Sequence, residues 1–179
     1  MNLSVIIPAY NEAGTIREVI RRVKAQSAPG FTIQIIVVDD GSEDGTADRI
    51  EGESVVLLRH RRNRGKGAAI RTGLAHATGD VVIIQDADLE YDPGDYGRLI
   101  DLFGHGAHVV YGSRIQGGNP HSYRRYYYGG RLLTLFFNLL YRTRLTDVTT
   151  CYKAFRLELL RSVPLRHDGF EFCIEVTAH

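Results

Sequence analysis

The amino-acid sequence predicts a three-layer α/β/α fold in which helices cover both faces of a mostly parallel central sheet. Short aliphatic runs alternate along the first half of the chain with segments whose apolar residues recur at helical spacing. Alternation of this kind is typical of strand–helix–strand units with right-handed crossovers. A chain of 179 residues, 44% of them hydrophobic, is also long enough to bury the core of a single domain, residues 1–179.

Composition narrows the range of functions. The net charge is +1 and the pI is near 7.8, so the chain as a whole carries no electrostatic signal for binding nucleic acid. Cys151 and Cys173 have neither Cys-x-x-Cys spacing nor a nearby histidine, and we expect free, buried thiols in a reducing compartment. The chain starts without a basic leader, and no segment reaches the roughly 20 apolar residues that span a bilayer. We therefore expect a cytoplasmic protein, either free or on a membrane surface.

Each predicted element follows from its local pattern. Residues 3–7 form an apolar strand that Pro8 ends, and the apolar residues at 16, 19, 20 and 23 then occupy one face of a helix. The same unit repeats along the chain. Further strands are predicted at residues 33–38, 54–58, 81–84 and 107–111. Further helices are predicted to begin near residues 46 and 66, and to cover residues 93–103 and 132–141.

The most informative stretch, residues 81–93, combines a buried strand with acidic side chains. Residues 81–84 are all β-branched, as in strands that a parallel sheet buries on both faces. Since side chains on a strand alternate, Asp86 and Asp88 should project to one side, with Glu90 joining them if the extended backbone continues. Such oxygen ligands suit Mg²⁺ or Mn²⁺ bound together with a diphosphate. The alternative is an acidic turn that opens the next helix.

Three other predicted strands also end in polar or basic residues. Because the carboxyl ends of parallel strands lie along one rim of a sheet, these segments should converge with the acidic pair on one cleft. They are Pro8-Ala9-Tyr10-Asn11-Glu12, Asp39-Asp40-Gly41-Ser42 and Arg62-Asn63-Arg64-Gly65-Lys66-Gly67. The last segment fits neither the dinucleotide fingerprint nor the P-loop motif. Its glycines, its lysine and the following helix N-terminus nevertheless suit contact with phosphate oxygens.

The pattern changes after Gly112, where a loop rich in tyrosine and arginine leads to the apolar helix at residues 132–141. Two interpretations of this helix are open. It covers the sheet as a core helix, or it lies against an anionic membrane surface or a lipid-bearing ligand, because arginines flank it. The flanking residues are Arg124, Arg125, Arg131, Arg142 and Arg144.

Together and in this order, the motifs resemble those of the family 2 glycosyltransferases, over nearly the whole chain. In the first half the resemblance rests on Val5-Ile6-Ile7-Pro8-Ala9-Tyr10-Asn11-Glu12, Val37-Val38-Asp39-Asp40-Gly41-Ser42, Asn63-x-Gly65-Lys66-Gly67, Gly79-Asp80 and Asp86-Ala87-Asp88. The second half resembles the polyprenyl-phosphate sugar transferase branch, the relatives of dolichol-phosphate mannose synthase. Its matching segments are Tyr111-Gly112-Ser113-Arg114, Leu145-Thr146-Asp147, Cys151-Tyr152-Lys153-Ala154-Phe155-Arg156 and Gly169-Phe170-Glu171-Phe172. The resemblance implies the glycosyltransferase A type of Rossmann-like fold.

The resemblance also implies which residues bind the donor. Residues 1–90 would be the nucleotide-sugar-binding half of the domain, and residues 91–179 the acceptor-binding half. The residues implied to hold the base and ribose are Pro8, Ala9, Tyr10, Glu12 and Asp39. The rest of the implied donor site consists of Asp40, Gly65, Lys66, Asp86 and Ala87.

The metal and the acceptor phosphate have implied ligands as well. The metal would be held by Asp88 and Asp86, with Glu90 as a third ligand, although this branch often has Gln at the position of Glu90. Arg114 and Arg131 would hold the acceptor phosphate. The loop between these two arginines is variable, so Arg124 or Arg125 is an alternative to Arg131.

The implied reaction is an inverting, metal-dependent transfer of a hexosyl unit from a UDP- or GDP-sugar to a polyprenyl phosphate at the cytoplasmic face of a membrane. An anionic acceptor phosphate needs no general base. A saccharide hydroxyl acceptor, as in cell-envelope polysaccharide synthesis, would need one, and Asp147 and Glu171 are the candidates. A third alternative is an inactive sugar-nucleotide-binding module of a larger membrane protein. Residues 175–179 resemble the interior of a helix without a stop signal, so we expect the sequence to continue in a longer protein.

Overall fold

A computed structural model describes residues 1–27, 32–113 and 124–179, and for residues 124–127 the backbone alone. Within these ranges the strands are β1 Asn2–Ala9, β2 Thr32–Asp39, β3 Val56–Arg59, β4 Val81–Ile84, β5 Val109–Tyr111 and β6 Lys153–Arg156. They form one sheet in the order β3-β2-β1-β4-β6-β5. β1 is parallel to β2 and β4, and β2 is parallel to β3, whereas β6 is antiparallel to both β4 and β5. The predicted mostly parallel sheet is confirmed.

Helices cover both faces of this sheet. They are α1 Ile16–Lys24, α2 Thr46–Ile50, α3 Lys66–His76, α4 Tyr96–Gly104, α5 Arg124–Tyr141, α6 Leu157–Ser162 and α7 Phe172–Ala178, and a short 3₁₀ turn, Pro93–Asp95, precedes α4. Among the described residues, no helix combines the length and the hydropathy needed to cross a bilayer.

Alternation along the central strands divides the core into two layers. Val5 and Ile83 pack with α1 and α4 on one face, whereas Ile6 and Ile84 pack with α3, α6 and α7 on the other. β1 and β4 are buried on both faces, and this explains why their sequences are almost entirely aliphatic. The sheet therefore holds the carboxyl ends of β1, β2 and β4 side by side along one rim.

Two features of the second half differ from the prediction. The strand β6 was not predicted. It has only four residues, and the first and last of them, Lys153 and Arg156, are charged, so its sequence lacks the aliphatic run that marks the other strands. The helix α5 begins at Arg124, eight residues before the predicted start at residue 132, although Gly129 and Gly130 interrupt its sequence pattern. Gly130 is explained by close packing, since a Cβ there would stand 3.2 Å from Thr149 Oγ1.

Candidate active site

A cavity of ≈ 290 Å³ opens at the carboxyl ends of β1, β2 and β4, where the sequence predicts a cleft. Ten predicted site residues line it: Pro8, Ala9, Tyr10, Glu12, Asp40, Gly65, Lys66, Asp86, Ala87 and Asp88. Four further residues complete the lining: Asn63, Ala69, Gly169 and Phe170. Segments that lie far apart in the sequence are thus brought to one place by the parallel strands.

A second cavity of ≈ 320 Å³ adjoins the first, because Tyr10 and Asn63 line both. Asp39 lies in this second cavity. Its buried carboxylate accepts a hydrogen bond from the backbone N–H of Ser42 at 3.1 Å, and Arg59 Nε lies 3.7 Å from its other oxygen. We refer to the two cavities together as the groove. The groove offers room for an elongated ligand with an anionic part near the lysine and arginine side chains.

A buried ion pair forms the floor of the first cavity. Lys66, the first residue of α3, donates a hydrogen bond to Asp86, which lies two residues after the end of β4. The Lys66 side chain is 10% exposed and the Asp86 side chain 12%. Burial lowers the pKa of the Lys66 ammonium group, but the charge of Asp86, its hydrogen bond to Lys66 and the neighbouring Cys151 and Cys173 together outweigh this effect, so the pKa of Lys66 lies above its ordinary value. Lys66 is therefore a permanent cation at neutral pH.

The backbone turns sharply after β4, which separates the predicted third carboxylate from the other two. β4 ends at Ile84, and Leu89 adopts a left-handed conformation with φ of 65°. Asp88 Oδ1 accepts a hydrogen bond from the backbone N–H of Glu90 at 3.0 Å, which closes this turn. Glu90 lines a different cavity of ≈ 800 Å³ beside β5. The extended geometry that would have aligned Glu90 with Asp86 and Asp88 therefore does not continue.

The remaining acidic pair fits a divalent cation that arrives with a phosphate ligand. Among the described residues, no three His, Cys, Asp or Glu side chains are close enough to form a cation site by themselves. Mg²⁺ and Mn²⁺ commonly use only one or two carboxylates when substrate phosphates and water supply the other ligands. Asp88 is exposed in the cavity, whereas one oxygen of Asp86 is occupied by Lys66. The donor set thus suits a cation bound chiefly by Asp88, with Asp86 beside it.

The glycine-rich segment is held by protein groups on both sides, which changes the role predicted for its glycines. Both oxygens of the buried Asp40 carboxylate are engaged, because it accepts hydrogen bonds from the backbone N–H groups of Arg64 and Gly65 at 3.0 and 2.7 Å and contacts His60 Nδ1 at 2.6 Å. On the other side, a Cβ at Gly65 would stand 2.5 Å from the carbonyl oxygen of Asp168. The glycine therefore permits close packing of residues 167–169, and its N–H group is bonded to Asp40 and not directed at a ligand.

The family is decided by a comparison that covers most of the chain. A model of the family described as Glycosyl transferase family 2 matches residues 4–163. The chain belongs to this family. The resemblance recognised in the sequence motifs is confirmed.

Two curated relatives of this glycosyltransferase domain act on lipid phosphates according to their names. The dolichol-phosphate mannosyltransferase of Pyrococcus furiosus is 30% identical over 184 residues, which cover 98% of this chain and 52% of the relative. The undecaprenyl-phosphate 4-deoxy-4-formamido-L-arabinose transferase of Klebsiella pneumoniae is 39% identical over 115 residues, which cover 60% of this chain and 35% of the relative. The chain thus spans about half or less of the length of these relatives.

A solved structure shares the fold of the glycosyltransferase domain. The glucosyl-3-phosphoglycerate synthase of Mycobacterium tuberculosis, in complex with Mn²⁺, uridine diphosphate and phosphoglyceric acid, matches with a TM-score of 0.78 and 26% identity. The match covers 98% of this chain and 62% of the synthase. The predicted glycosyltransferase A type of fold is therefore confirmed.

The arginines predicted to bind the acceptor phosphate are only partly described. Arg114 lies outside the described residues, and Arg131 is exposed on α5 and does not line the groove. Of Arg124 and Arg125 the backbone alone is described, within α5. The predicted acceptor role of these arginines stays a prediction.

The two candidate general bases lie in different surroundings. Asp147 is buried before β6, and Thr149 Oγ1 donates a hydrogen bond to it at 2.9 Å. Glu171 is exposed, directly precedes α7, and lines a separate surface cavity beside Glu175. Neither carboxylate lines the groove.

Sequence reasoning missed Phe170, whose side chain is 74% exposed and lines the first cavity. The Lys66 Nζ atom lies 5.5 Å from the centroid of its ring. The segment that presents Phe170 is anchored to α3, because Arg71 donates to the carbonyl oxygen of His167 at 2.6 Å and pairs with Asp168. The two phenylalanines at 170 and 172 look alike in sequence, but Phe172 is buried, so only the structure identifies the one that faces the cavity.

Gly67→Ala is expected to destabilise the glycosyltransferase. A Cβ at Gly67 would clash with the carbonyl oxygen of His167, so the backbone of one segment must move. Overpacking of this kind costs about 1–3 kcal/mol, which urea unfolding measures directly. Gly97→Ala in α4 is the control, because a Cβ there meets nothing within 4 Å. The control should be neutral or more stable by up to about 1 kcal/mol, and equal stabilities of the two variants would contradict the tight packing.

Proposed function

We propose that this glycosyltransferase moves a hexosyl unit from a UDP- or GDP-sugar to a polyprenyl phosphate at the cytoplasmic face of a membrane. The observation that carries the choice of acceptor is the exposed apolar face of α5, in a chain whose groove suits a nucleotide-diphosphate sugar. The names of the two curated relatives support the same acceptor class.

The donor would lie along the groove, with its base and ribose in the second cavity and its diphosphate in the first. Asp39, which lines the second cavity, would accept a hydrogen bond from a base N–H, and Tyr10 lines both cavities. The diphosphate would bind between Asp88 with its Mg²⁺ or Mn²⁺ and the cationic Lys66. The Mn²⁺ and uridine diphosphate of the Mycobacterium tuberculosis synthase structure support this arrangement.

The chemistry follows from this placement. An oxygen of the acceptor phosphate forms a bond to the anomeric carbon as the bond from that carbon to the diphosphate oxygen breaks, and attack from the opposite side inverts the configuration. A bound divalent cation would neutralise charge that develops on the departing nucleoside diphosphate. Lys66 adds a fixed positive charge on the same side of the sugar. Because a phosphate monoester is already anionic, no general base is required, and the groove indeed presents neither Asp147 nor Glu171.

The choice of a polyprenyl phosphate acceptor is supported by the exposed apolar residues of α5. Leu132 and Leu139 are 69% and 78% exposed, whereas Thr134 and Phe137 are buried. Within the described part of the chain, residues 132–141 do not form a core helix, since only those two of the side chains described in α5 are buried. The other exposed apolar residues are Leu133, Leu135, Phe136, Leu140 and Tyr141. Arg131, Arg142 and Arg144 are exposed around this face, and together they match a surface of acyl chains and anionic headgroups.

Placing acidic residues on this face should release the protein from vesicles. The double variant Leu132→Asp with Leu139→Asp is expected to bind vesicles of phosphatidylglycerol and phosphatidylcholine at least about tenfold more weakly, because each leucine loses about 1.5–3 kcal/mol of apolar burial. Co-sedimentation measures the bound fraction. Leu159→Asp, at an exposed leucine on α6, is the control and should bind as the wild type does. Equal binding by all of these proteins would argue against α5 as the membrane-facing helix.

The proposed function is tested by transfer from radiolabelled UDP-glucose and GDP-mannose to undecaprenyl phosphate, in Mn²⁺ or in EDTA. Metal-dependent labelling of the lipid from one donor would support the proposal and identify the base. Metal-dependent hydrolysis of a donor without lipid labelling would favour a hydroxyl acceptor. Donor binding without hydrolysis or transfer would favour the inactive binding module.

A further inference from the structure

Lys153 on β6 is a fully buried lysine with an unusual set of partners. Its Nζ donates to the carbonyl oxygens of Val148 at 3.0 Å and Thr150 at 2.5 Å, and it lies 4.5 Å from the centroid of the Tyr111 ring. The side chain is 0% exposed. Lysine is seldom buried so completely, and the cost of burying the charge is met here by two carbonyl oxygens and one ring, which match the three N–H bonds of the ammonium group.

These contacts fix the segment at residues 147–150. The two carbonyl groups that accept from Lys153 flank Thr149, whose hydroxyl group donates to Asp147 at 2.9 Å. The same segment is tied to α5, because the backbone N–H of Val148 donates to Thr134 Oγ1 at 3.1 Å. Lys153 is thus the point where the sheet, the 147–150 segment and α5 are joined.

The segment also lies near the ion pair on the floor of the groove. Burial lowers the pKa of Lys153, and the charges of Asp147 and of Lys66 act on it in opposite directions, so both groups are within electrostatic range. Next in the chain, Cys151 Sγ lies 3.4 Å from Cys173 Sγ, and Phe170, three residues before Cys173, lines the first cavity. Cys173 is buried, whereas Cys151 is partly exposed. The chain from Asp147 to Cys151 therefore runs from α5 to the edge of the donor site.

We propose that Lys153 is a positioning residue for the transfer step: it holds the 147–150 segment, and through it α5, in fixed alignment with the groove. The inference rests on the proposed function and specifies how the acceptor half is aligned. Lys153 donates its hydrogen bonds to Val148 and Thr150, and neither of these residues lines the groove. Loss of the ammonium group should therefore disturb acceptor alignment and leave donor binding intact.

The test compares Lys153→Met, which keeps the length of the side chain but removes its charge and donors, with a matched control on the same strand. Arg156→Met is that control, because Arg156 also donates to a carbonyl oxygen, that of Phe103 at 2.7 Å, and lies 5.5 Å from its ring. These contacts point to α4 and away from the 147–150 segment. Three quantities are measured for each protein: nucleoside diphosphate affinity, metal-dependent donor hydrolysis, and transfer to undecaprenyl phosphate.

We expect Lys153→Met to lower kcat/KM for undecaprenyl phosphate at least tenfold, since small misplacements of a reacting group can cost about a hundredfold. Donor affinity should change less than twofold. Because the donor still binds but is transferred less often, the ratio of donor hydrolysis to transfer should rise. Lys153→Arg, which retains charge and donors, should recover part of the transfer. Arg156→Met should keep the wild-type ratio of hydrolysis to transfer even if it lowers the unfolding midpoint.

Three results would overturn the inference in distinguishable ways. If the wild-type protein transfers to no polyprenyl phosphate, the proposed function fails and the inference fails with it. If the wild type transfers and Lys153→Met either matches it or loses donor binding and transfer in equal proportion, the inference alone fails. Proportional loss would mean that Lys153 serves general stability only.

Discussion

Asp88→Asn is expected to reduce metal-dependent transfer by roughly 100- to 1,000-fold while leaving the fold intact. A catalytic metal contributes several kcal/mol, and each 1.4 kcal/mol is a factor of ten in rate. Asparagine can still accept the hydrogen bond from the Glu90 N–H, so the turn after β4 is preserved. Initial rates measured over a range of Mn²⁺ concentrations test the prediction, with near-ultraviolet circular dichroism as the check on the fold.

Asp92→Asn is the matched control for this variant. Asp92 Oδ1 accepts from the backbone N–H of Gly94 at 2.9 Å, so the local turn is of the same kind as at Asp88, two residues apart in each case. Asp92, however, lines the neighbouring cavity and not the groove. The control should retain activity within about twofold. Similar activities of the two variants would exclude Asp88 as the main metal ligand.

The residues that line the groove could be predicted because the sequence signal for them is local. An aliphatic run that leads to Asp86 or Asp39 indicates both a strand and the polar group at its carboxyl end, and a parallel sheet brings such ends together. The prediction failed at Glu90, where one left-handed residue, Leu89, redirects the backbone. Non-glycine residues with positive φ are uncommon, so a strand-like pattern gives no warning of this turn.

The roles of the glycines could not be predicted because they depend on a distant segment. Gly65 suits either a phosphate or another stretch of backbone, and the sequence gives equal support to both. The structure places Asp168, more than one hundred positions later in the chain, against this glycine. Contacts at such separation leave no periodic trace in the sequence.

The second half could be predicted least, for two physical reasons. The helix α5 is apolar nearly all the way round, so its sequence does not indicate which face meets the protein; the structure shows that Phe137 is buried and Leu139 is exposed. Strand β6 carries Lys153, and a buried lysine looks in sequence like a surface residue. Whether a lysine can be buried depends on the hydrogen-bond acceptors around it in the folded protein, and these come from other parts of the chain.

Lys66→Met is expected to destabilise the protein by about 3–5 kcal/mol and to abolish donor binding at accessible concentrations. Removing one member of a buried ion pair leaves the other charge uncompensated, and this cost is much larger than the loss of an exposed pair. Urea unfolding measures the first effect, and titration with uridine diphosphate in Mn²⁺ measures the second. The control is Lys24→Met, whose partially exposed partner Glu53 lies at 2.5 Å, and its cost should be less than about 1 kcal/mol.

The pH dependence of this penalty follows from the sign of the pKa shift. The pKa of Lys66 is raised above its ordinary value of 10.5, so the stability it contributes is fully present below pH 10.5 and is lost only as the pH rises through the pKa of the folded state. The penalty of Lys66→Met should therefore be constant between about pH 7 and 9. A penalty that disappears within this range would contradict a permanently charged Lys66.

The double variant Lys66→Met with Asp86→Asn separates stability from binding. With both charges removed, no uncompensated charge is buried, and replacing a buried pair by neutral groups is often close to neutral in stability. The double variant should therefore regain most of the free energy of unfolding that Lys66→Met loses. It should not regain donor binding, because the cation facing the diphosphate is still absent. Recovery of both properties together would mean that Lys66 serves only to neutralise Asp86. Recovery of stability alone, with weaker donor binding than in the single variant Asp86→Asn, which keeps Lys66, assigns the ammonium group to the donor.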